Sequence, residues 1–139
     1  MIRKLFILLM IGSCLSCHKK SVQQSGCDAQ VCTTLFAIIG IHFTDKNGTA
    51  IVVQNYTAVN QRTHLNMVNS NPPANPFGIG YYIVADDSAK SQLSTEGDEV
   101  LVSATNPATN QTKTTMFKIT GGCKCHVEKV LGVDTLAFD

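Results

Sequence analysis

Tryptophan is missing from this 139-residue chain, and aromatic residues make up only 6% of it. Charge is sparse as well: Asp, Glu, Lys and Arg contribute 15%, and the formal net charge is +1. No basic stripe accompanies the few aromatics, so the electrostatic footprint of a nucleic-acid binder is lacking. No apolar run approaches the roughly 20 residues of a membrane-spanning helix. G-x-S-x-G, H-E-x-x-H and a phosphate-binding glycine loop are absent. Gly78-Ile79-Gly80 follows prolines and precedes a strand pattern, the wrong context for a phosphate cradle. Long helical periodicity is missing too, whereas Thr, Asn, Val and Ile are plentiful, a balance that favours strands and turns.

The N-terminus carries a recognisable pattern. Arg3 and Lys4 precede the apolar residues 5–11, and Gly12 and Ser13 follow, which is the layout of a secretory signal peptide. The small residues lead into cysteines, Ser13-Cys14 and Ser16-Cys17. This arrangement resembles the lipobox of bacterial lipoproteins, in which an aliphatic residue and small residues precede a lipidated cysteine. Cys17 is the favoured anchor and Cys14 the alternative; Ser16-Cys17-His18-Lys19-Lys20 is similar to the start of many lipoproteins of Bacteroidota. The resemblance implies a signal peptide over residues 1–16, a cell-envelope location and a palmitate-bearing membrane anchor. His18, rather than Asp, after Cys17 leans towards the outer membrane.

Cys14-Leu15-Ser16-Cys17-His18 also spells the attachment pattern of a c-type haem. Haem attachment needs both thiols. Cleavage before Cys17 discards Cys14, and cleavage before Cys14 converts that thiol to a lipid thioether, so no haem is expected.

Residues 17–26 are polar and aperiodic and read as a tether. Residues 27–139 are long enough for one core and are expected to form an all-β, antiparallel sandwich with one short helix. The first strand is placed over residues 35–43, with Leu35, Ala37, Ile39, Ile41 and Phe43 on its core face. Asp45-Lys46-Asn47-Gly48 predicts a tight turn, because Asn and Gly accept positive φ. This opening hairpin resembles that of carboxypeptidase-regulatory-like and transthyretin-like domains, which supports an Ig-like or transthyretin-like sandwich and carries over no ligand site. The next strand is placed over residues 51–59 and is expected to bend or change partner near Asn55. Asp86 or Asp87 is expected to cap a helix through Leu93. Further strands are placed over residues 81–84, 99–105, 112–120, 123–130 and 135–138.

Cys27 and Cys32 precede the first strand, and Cys123 and Cys125 begin a late one. Export permits disulfides between the two pairs; three connectivities are open. If residues 123–130 were extended, Cys123, Cys125 and Val127 would share one face, and His126 would point away with Lys124 and Glu128. That geometry disfavours zinc, whose cysteine pairs need wider spacing. A metal or thiol-redox role for Cys27, Cys32, Cys123, Cys125 and His126 stays as the alternative, copper(I) being suited to thiolates.

His42 and His64 are isolated and read as surface or edge histidines. Asp87-Ser88-Ala89 and Asp134-Thr135-Leu136 match a short O-glycan acceptor pattern that arises easily in a Ser- and Thr-rich chain. The proline-rich loop 69–80, with Phe77, is the candidate contact region. The expectation is therefore a non-enzymatic binding or structural module. No catalytic residue, metal or cofactor is assigned. Its partners are a membrane, through the lipid, and an unidentified protein or glycan.

Overall fold

A computed structural model describes residues 27, 28, 30–68 and 77–139. The anchor candidates Cys14 and Cys17 and the tether therefore lie outside the described residues, as does most of the proline-rich loop. The chain forms β1 (Ile38–Thr44), β2 (Gln54–Asn60), β3 (Tyr81–Asp86), a 3-10 helix (Asp87–Gln92), β4 (Asp98–Thr105), β5 (Thr112–Thr120), β6 (Glu128–Leu131) and β7 (Thr135–Ala137). Two sheets result, ordered β3-β1-β7 and β2-β4-β5-β6. Their facing sides enclose one hydrophobic core, and the fold is an all-β sandwich. Every strand pair is antiparallel except β1 with β7, which run parallel through His42–Thr135, Phe43–Leu136 and Thr44–Ala137.

The core follows from period-2 alternation. Ile39, Ile41 and Phe43 of β1 face Val100, Val102 and Ala104 of β4 and Phe117 and Ile119 of β5, all buried. Each large side chain so buried contributes about 1.5–3 kcal/mol relative to its exposed state. Phe43 stands among three rings, with centroids at 5.9 Å to Tyr56, 5.4 Å to Tyr82 and 6.1 Å to Phe138. Both tyrosine hydroxyls find partners. Tyr82 accepts from Val53 N at 3.0 Å and donates to Val53 O at 3.2 Å, while Tyr56 donates to Ile83 O at 2.8 Å. Burial, followed by the neighbouring Tyr82 and Tyr81, pushes the Tyr56 pKa well above its ordinary 10.0, which keeps the hydroxyl a donor.

Three local expectations hold for identifiable reasons. Asn55 has φ of 53°, and the β2–β4 register shifts between Gln54 and Thr57, so the strand does bend there. Asp86 caps the 3-10 helix, its carboxylate accepting from Ser88 N at 2.8 Å. Asp45 closes its turn by accepting from Asn47 N and Thr49 N, and Gly48 sits at φ of 82°. Beyond that turn, however, only the Thr44–Ala50 bridge forms before the chain crosses to the other sheet. The opening hairpin is thus a turn with one rung, not two paired strands.

Three strand boundaries require correction: residues 51–53, expected to open the second strand, precede β2, which starts at Gln54. Residues 35–37 do not join β1: Leu35 and Phe36 are exposed, and only Ala37 packs against the core. Residues 30–37 form an irregular strap across one end of the sandwich. Likewise, residues 123–126 form a bend, and β6 starts at Glu128.

Candidate functional site

The strap is held at three points. Cys27 pairs with Cys123 and Cys32 with Cys125, with Cα separations of 5.2 and 5.3 Å, within disulfide range. Between the sulfurs and β1, Thr33 Oγ1 lies 2.8 Å from His126 Nε2. At the strap's end, Ala37 N donates to Asp87 Oδ2 at 2.9 Å.

Glycines make this corner possible. A Cβ on Gly121 would approach Lys90 O to 2.7 Å, and one on Gly122, at φ of 56°, would approach Thr95 Oγ1 to 2.8 Å. Lacking side chains, the pair lets the chain run tightly beside the segment after the helix. Cys123 N then donates to Thr95 Oγ1 at 3.1 Å. Because residues 123–126 bend, the alternation expected of a strand does not apply. His126 does not follow Lys124 and Glu128 to the far side; it turns to Asp87, with Nδ1 at 2.7 Å from Oδ2.

Asp87 is the centre of this corner. Its carboxylate accepts from Ala37 N, from His126 Nδ1 and from Val127 N, the last at 2.9 Å. Burial pushes its pKa upward, but these three hydrogen bonds outweigh burial and hold the group below the ordinary carboxylate value. An ionised carboxylate only accepts, so His126 Nδ1 carries a proton, and in the neutral ring Nε2 accepts from Thr33. Adjacent aspartates thus divide the work, Asp86 capping the helix and Asp87 fastening the strap to the bend.

Thr33, His126 and Asp87, taken in that order, have the sequence of groups of a hydrolytic triad. Acyl transfer also needs donors aimed at a developing oxyanion in a water-excluding cleft. Thr33 is exposed on the strap, and none of the three residues lines the open bay on the outer side of the β3-β1-β7 sheet. The arrangement accounts for strap fastening without further chemistry. Among the described residues, no group of three or more His, Cys, Asp and Glu side chains is placed to hold a metal.

A second polar node lies at the same end. Asp98 accepts from Arg62 Nε and Nη2 at 2.8 and 2.7 Å, from Asn60 Nδ2 at 2.7 Å, and from Ser94 N and Oγ. The Arg62 hydrogen bond holds Asp98 well below its ordinary pKa of 3.8; burial opposes this, and Asn60 and Ser94 add to the lowering. Fully buried Asn60 completes the node, its Oδ1 accepting from Arg62 N and Thr63 N. These links tie the ends of β2 and the helix to the start of β4.

The bay on the outer side of β3-β1-β7 has a volume of about 280 Å³ and is lined by Ile38, Ile39, Gly40, His42, Tyr81, Lys129 and Asp134. The Tyr81 ring occupies the space a Cβ would fill at Gly40. His42 meets that ring edge-on at 4.9 Å between centroids, and Phe77 meets it at 5.1 Å. Lys129 is ion-paired with Asp134. Burial raises the Tyr81 pKa, with Lys129 nearby pulling it back slightly.

Of the residues singled out from sequence, the four domain cysteines and His126 come together at the strapped end. His42 lies beside Tyr81 on the bay, and exposed Phe77 extends that ring cluster. His64 is exposed in the turn after β2, at φ of 58°. Ser88 is exposed on the helix and Thr135 on β7. Sequence reasoning missed Thr33, Asp87 as a fastener, Arg62, Asp98, Tyr81, Lys129 and Asp134. Only Gly40 within an apolar strand offered a signal, since such a glycine marks close approach by a neighbour.

No helix among the described residues is long and apolar enough to cross a membrane. Comparison with protein-family models, with curated proteins and with solved structures finds no match for this chain.

Proposed function

We propose that the chain is a lipid-anchored lipoprotein of the bacterial envelope, tethered through Cys17 or Cys14, whose sandwich recognises a protein or glycan partner without catalysing a reaction. The observation that supports recognition is the bay. A rigid sheet presents rings of His42, Tyr81 and Phe77 beside the paired charges of Lys129 and Asp134, an apolar surface with a few convergent polar groups. Anchorage rests on the cationic start, short apolar run and Ser-Cys pairs of residues 1–17, and His18 after Cys17 favours the outer membrane.

The test has two parts. Mass spectrometry of the mature N-terminus should find a diacylglycerol-modified cysteine; an unmodified terminus elsewhere sinks the anchor. Envelope cross-linking with the full chain should then capture a partner, and Tyr81→Ala and Lys129→Glu should each reduce that capture at least threefold. Unchanged capture with both variants removes the bay from recognition.

The alternative, a metal or thiol-redox protein using Cys27, Cys32, Cys123, Cys125 and His126, requires open sulfurs. The two pairings and the engagement of His126 with Asp87 weigh against it. Alkylation before and after reduction, followed by intact mass, decides between the two readings.

A further inference from the structure

The strap carries large apolar side chains that are exposed. Leu35 is 76% and Phe36 60% exposed, and Val31 is completely so. Alternation alone would have put Leu35 in the core. It is kept out because the strap is committed elsewhere, to Cys125, His126 and Asp87. Three apolar side chains within six residues are therefore displayed on a backbone fixed at both ends.

From this we infer that the strap is an interfacial contact that seats the strapped end of the sandwich on the lipid surface, with Leu35 and Phe36 entering the headgroup boundary. This rests on the lipid anchor proposed above. Position supports it. Nine residues, 18–26, separate Cys17 from Cys27, and the stretch from one cysteine to the other spans at most about 35 Å. Cys27 is joined to Cys123 beside the strap, so the chain leaves the domain at the apolar display. A tether this short keeps the strap at high effective concentration over the bilayer. Lys19 and Lys20, next to the anchor, favour anionic headgroups there. Exposed apolar side chains occur elsewhere too, among them Val52, Ile79 and Leu131, but only the strap lies where the tether leaves the domain, and a display of this size is suited to shallow burial of about 5–10 Å, not to spanning.

The same placement orients the bay. β1 begins at the strap and runs to His42 and Thr44, and its seven residues cover about 23 Å. Phe77 and Tyr81 stand at its far end, so a strap resting on lipid turns the ring cluster away from the membrane.

Because the natural chain has no tryptophan, a single introduced one is an unambiguous reporter. Phe36→Trp and Leu35→Trp are made in the full lipidated chain, with Val52→Trp, 62% exposed near the opposite end, as control. Each is reconstituted into phosphatidylethanolamine and phosphatidylglycerol vesicles whose acyl chains are brominated. The strap reporters should shift to the blue and lose at least half their emission, while Val52→Trp keeps nearly all of its own. Strap emission matching the control, in protein whose lipid is verified by mass, overturns the membrane contact and leaves the anchor standing. An unlipidated chain overturns both. A blue shift in detergent-free protein without vesicles, accompanied by dimeric mass in sedimentation, assigns the strap to a second copy and overturns the membrane contact.

Discussion

The two ends of this sandwich are built on different principles. At the strapped end, two disulfide pairs, the Asp87 fastening and the Asp98 node join residues 36 to 96 positions apart in the chain. At the opposite end, the side-chain links are shorter in range, although β7 pairs there with β1, some 90 residues away in the chain. Asp45 organises its own turn, Asn106 accepts from Ala108 N and pairs with Gln111, and Lys113 reaches Ala137 O and Asp139. Long-range links remove conformational freedom from the whole chain, whereas local turns fix only their own few residues. One end is therefore cross-linked through sulfurs and carboxylates, and the other is held by its turns and by the β1–β7 ladder.

The largest blow to this contrast is the loss of both disulfides. The bridges span 96 and 93 residues and so close nearly the same loop. Removing one leaves that loop closed and opens only the small ring formed by residues 27–32 and 123–125, at a cost of roughly 2–3 kcal/mol by the chain-entropy relation. Removing both frees the long loop and costs roughly 7 kcal/mol. Urea denaturation of Cys27→Ser/Cys123→Ser, of Cys32→Ser/Cys125→Ser and of the fourfold variant should show this strong non-additivity; two equal, additive losses would refute it. Among the polar links, Asp98→Asn comes next, expected to cost about 3 kcal/mol because its donors, buried Asn60 among them, lose their ionic acceptor.

The pH dependence has a definite sign. The folded-state pKa of Asp98 is lowered, so its contribution is fully present above the unfolded value of 3.8 and is lost as pH falls from there through the folded value. Acid titration of stability should therefore be flatter below about pH 4 in Asp98→Asn than in the natural chain. At the local end, Asp45→Ala should cost only about 1 kcal/mol, since both of its hydrogen bonds are exposed and confined to the turn. Smallest of all, Leu35→Ser with Phe36→Ser should change stability by less than about 0.5 kcal/mol. Phe43→Ala, in the core, should cost about 3–5 kcal/mol. A strap variant as damaging as the core variant would show that the strap's apolar residues are buried after all.

What the sequence disclosed was local in origin. β5 occupies residues 112–120 as expected, the bend came at Asn55, and Asp86 caps the helix, because turn chemistry and alternation act within a few residues. The failures share the opposite character. Leu35 alternates in step with Ile39 and Ile41, and only distant Cys125, His126 and Asp87 divert it. Residues 123–127 alternate like a strand, yet Gly121 and Gly122 turn the chain against Thr95 before a ladder can start. The candidate bay was the least legible. His42 meets Tyr81 through the β1–β3 pairing, and Asp134 joins them only because β7 closes in parallel beside β1, a pairing between segments some 90 residues apart. The cysteine corner was better marked, for four cysteines in two pairs announce cross-links even when their connectivity is open.

The Cys27–Cys123 bridge also decides how the molecule bears mechanical load. Tension arriving along residues 17–26 passes at Cys27 across the sulfurs to Cys123, so 96 residues of chain are shunted out of its path. A pull between the two termini can draw out only the residues beyond Cys123, and about 330 Å of contour stays locked. β1 and β3, which carry His42 and Tyr81, are unloaded by that shunt, whereas β6 and β7 lie beyond Cys123 and take the load.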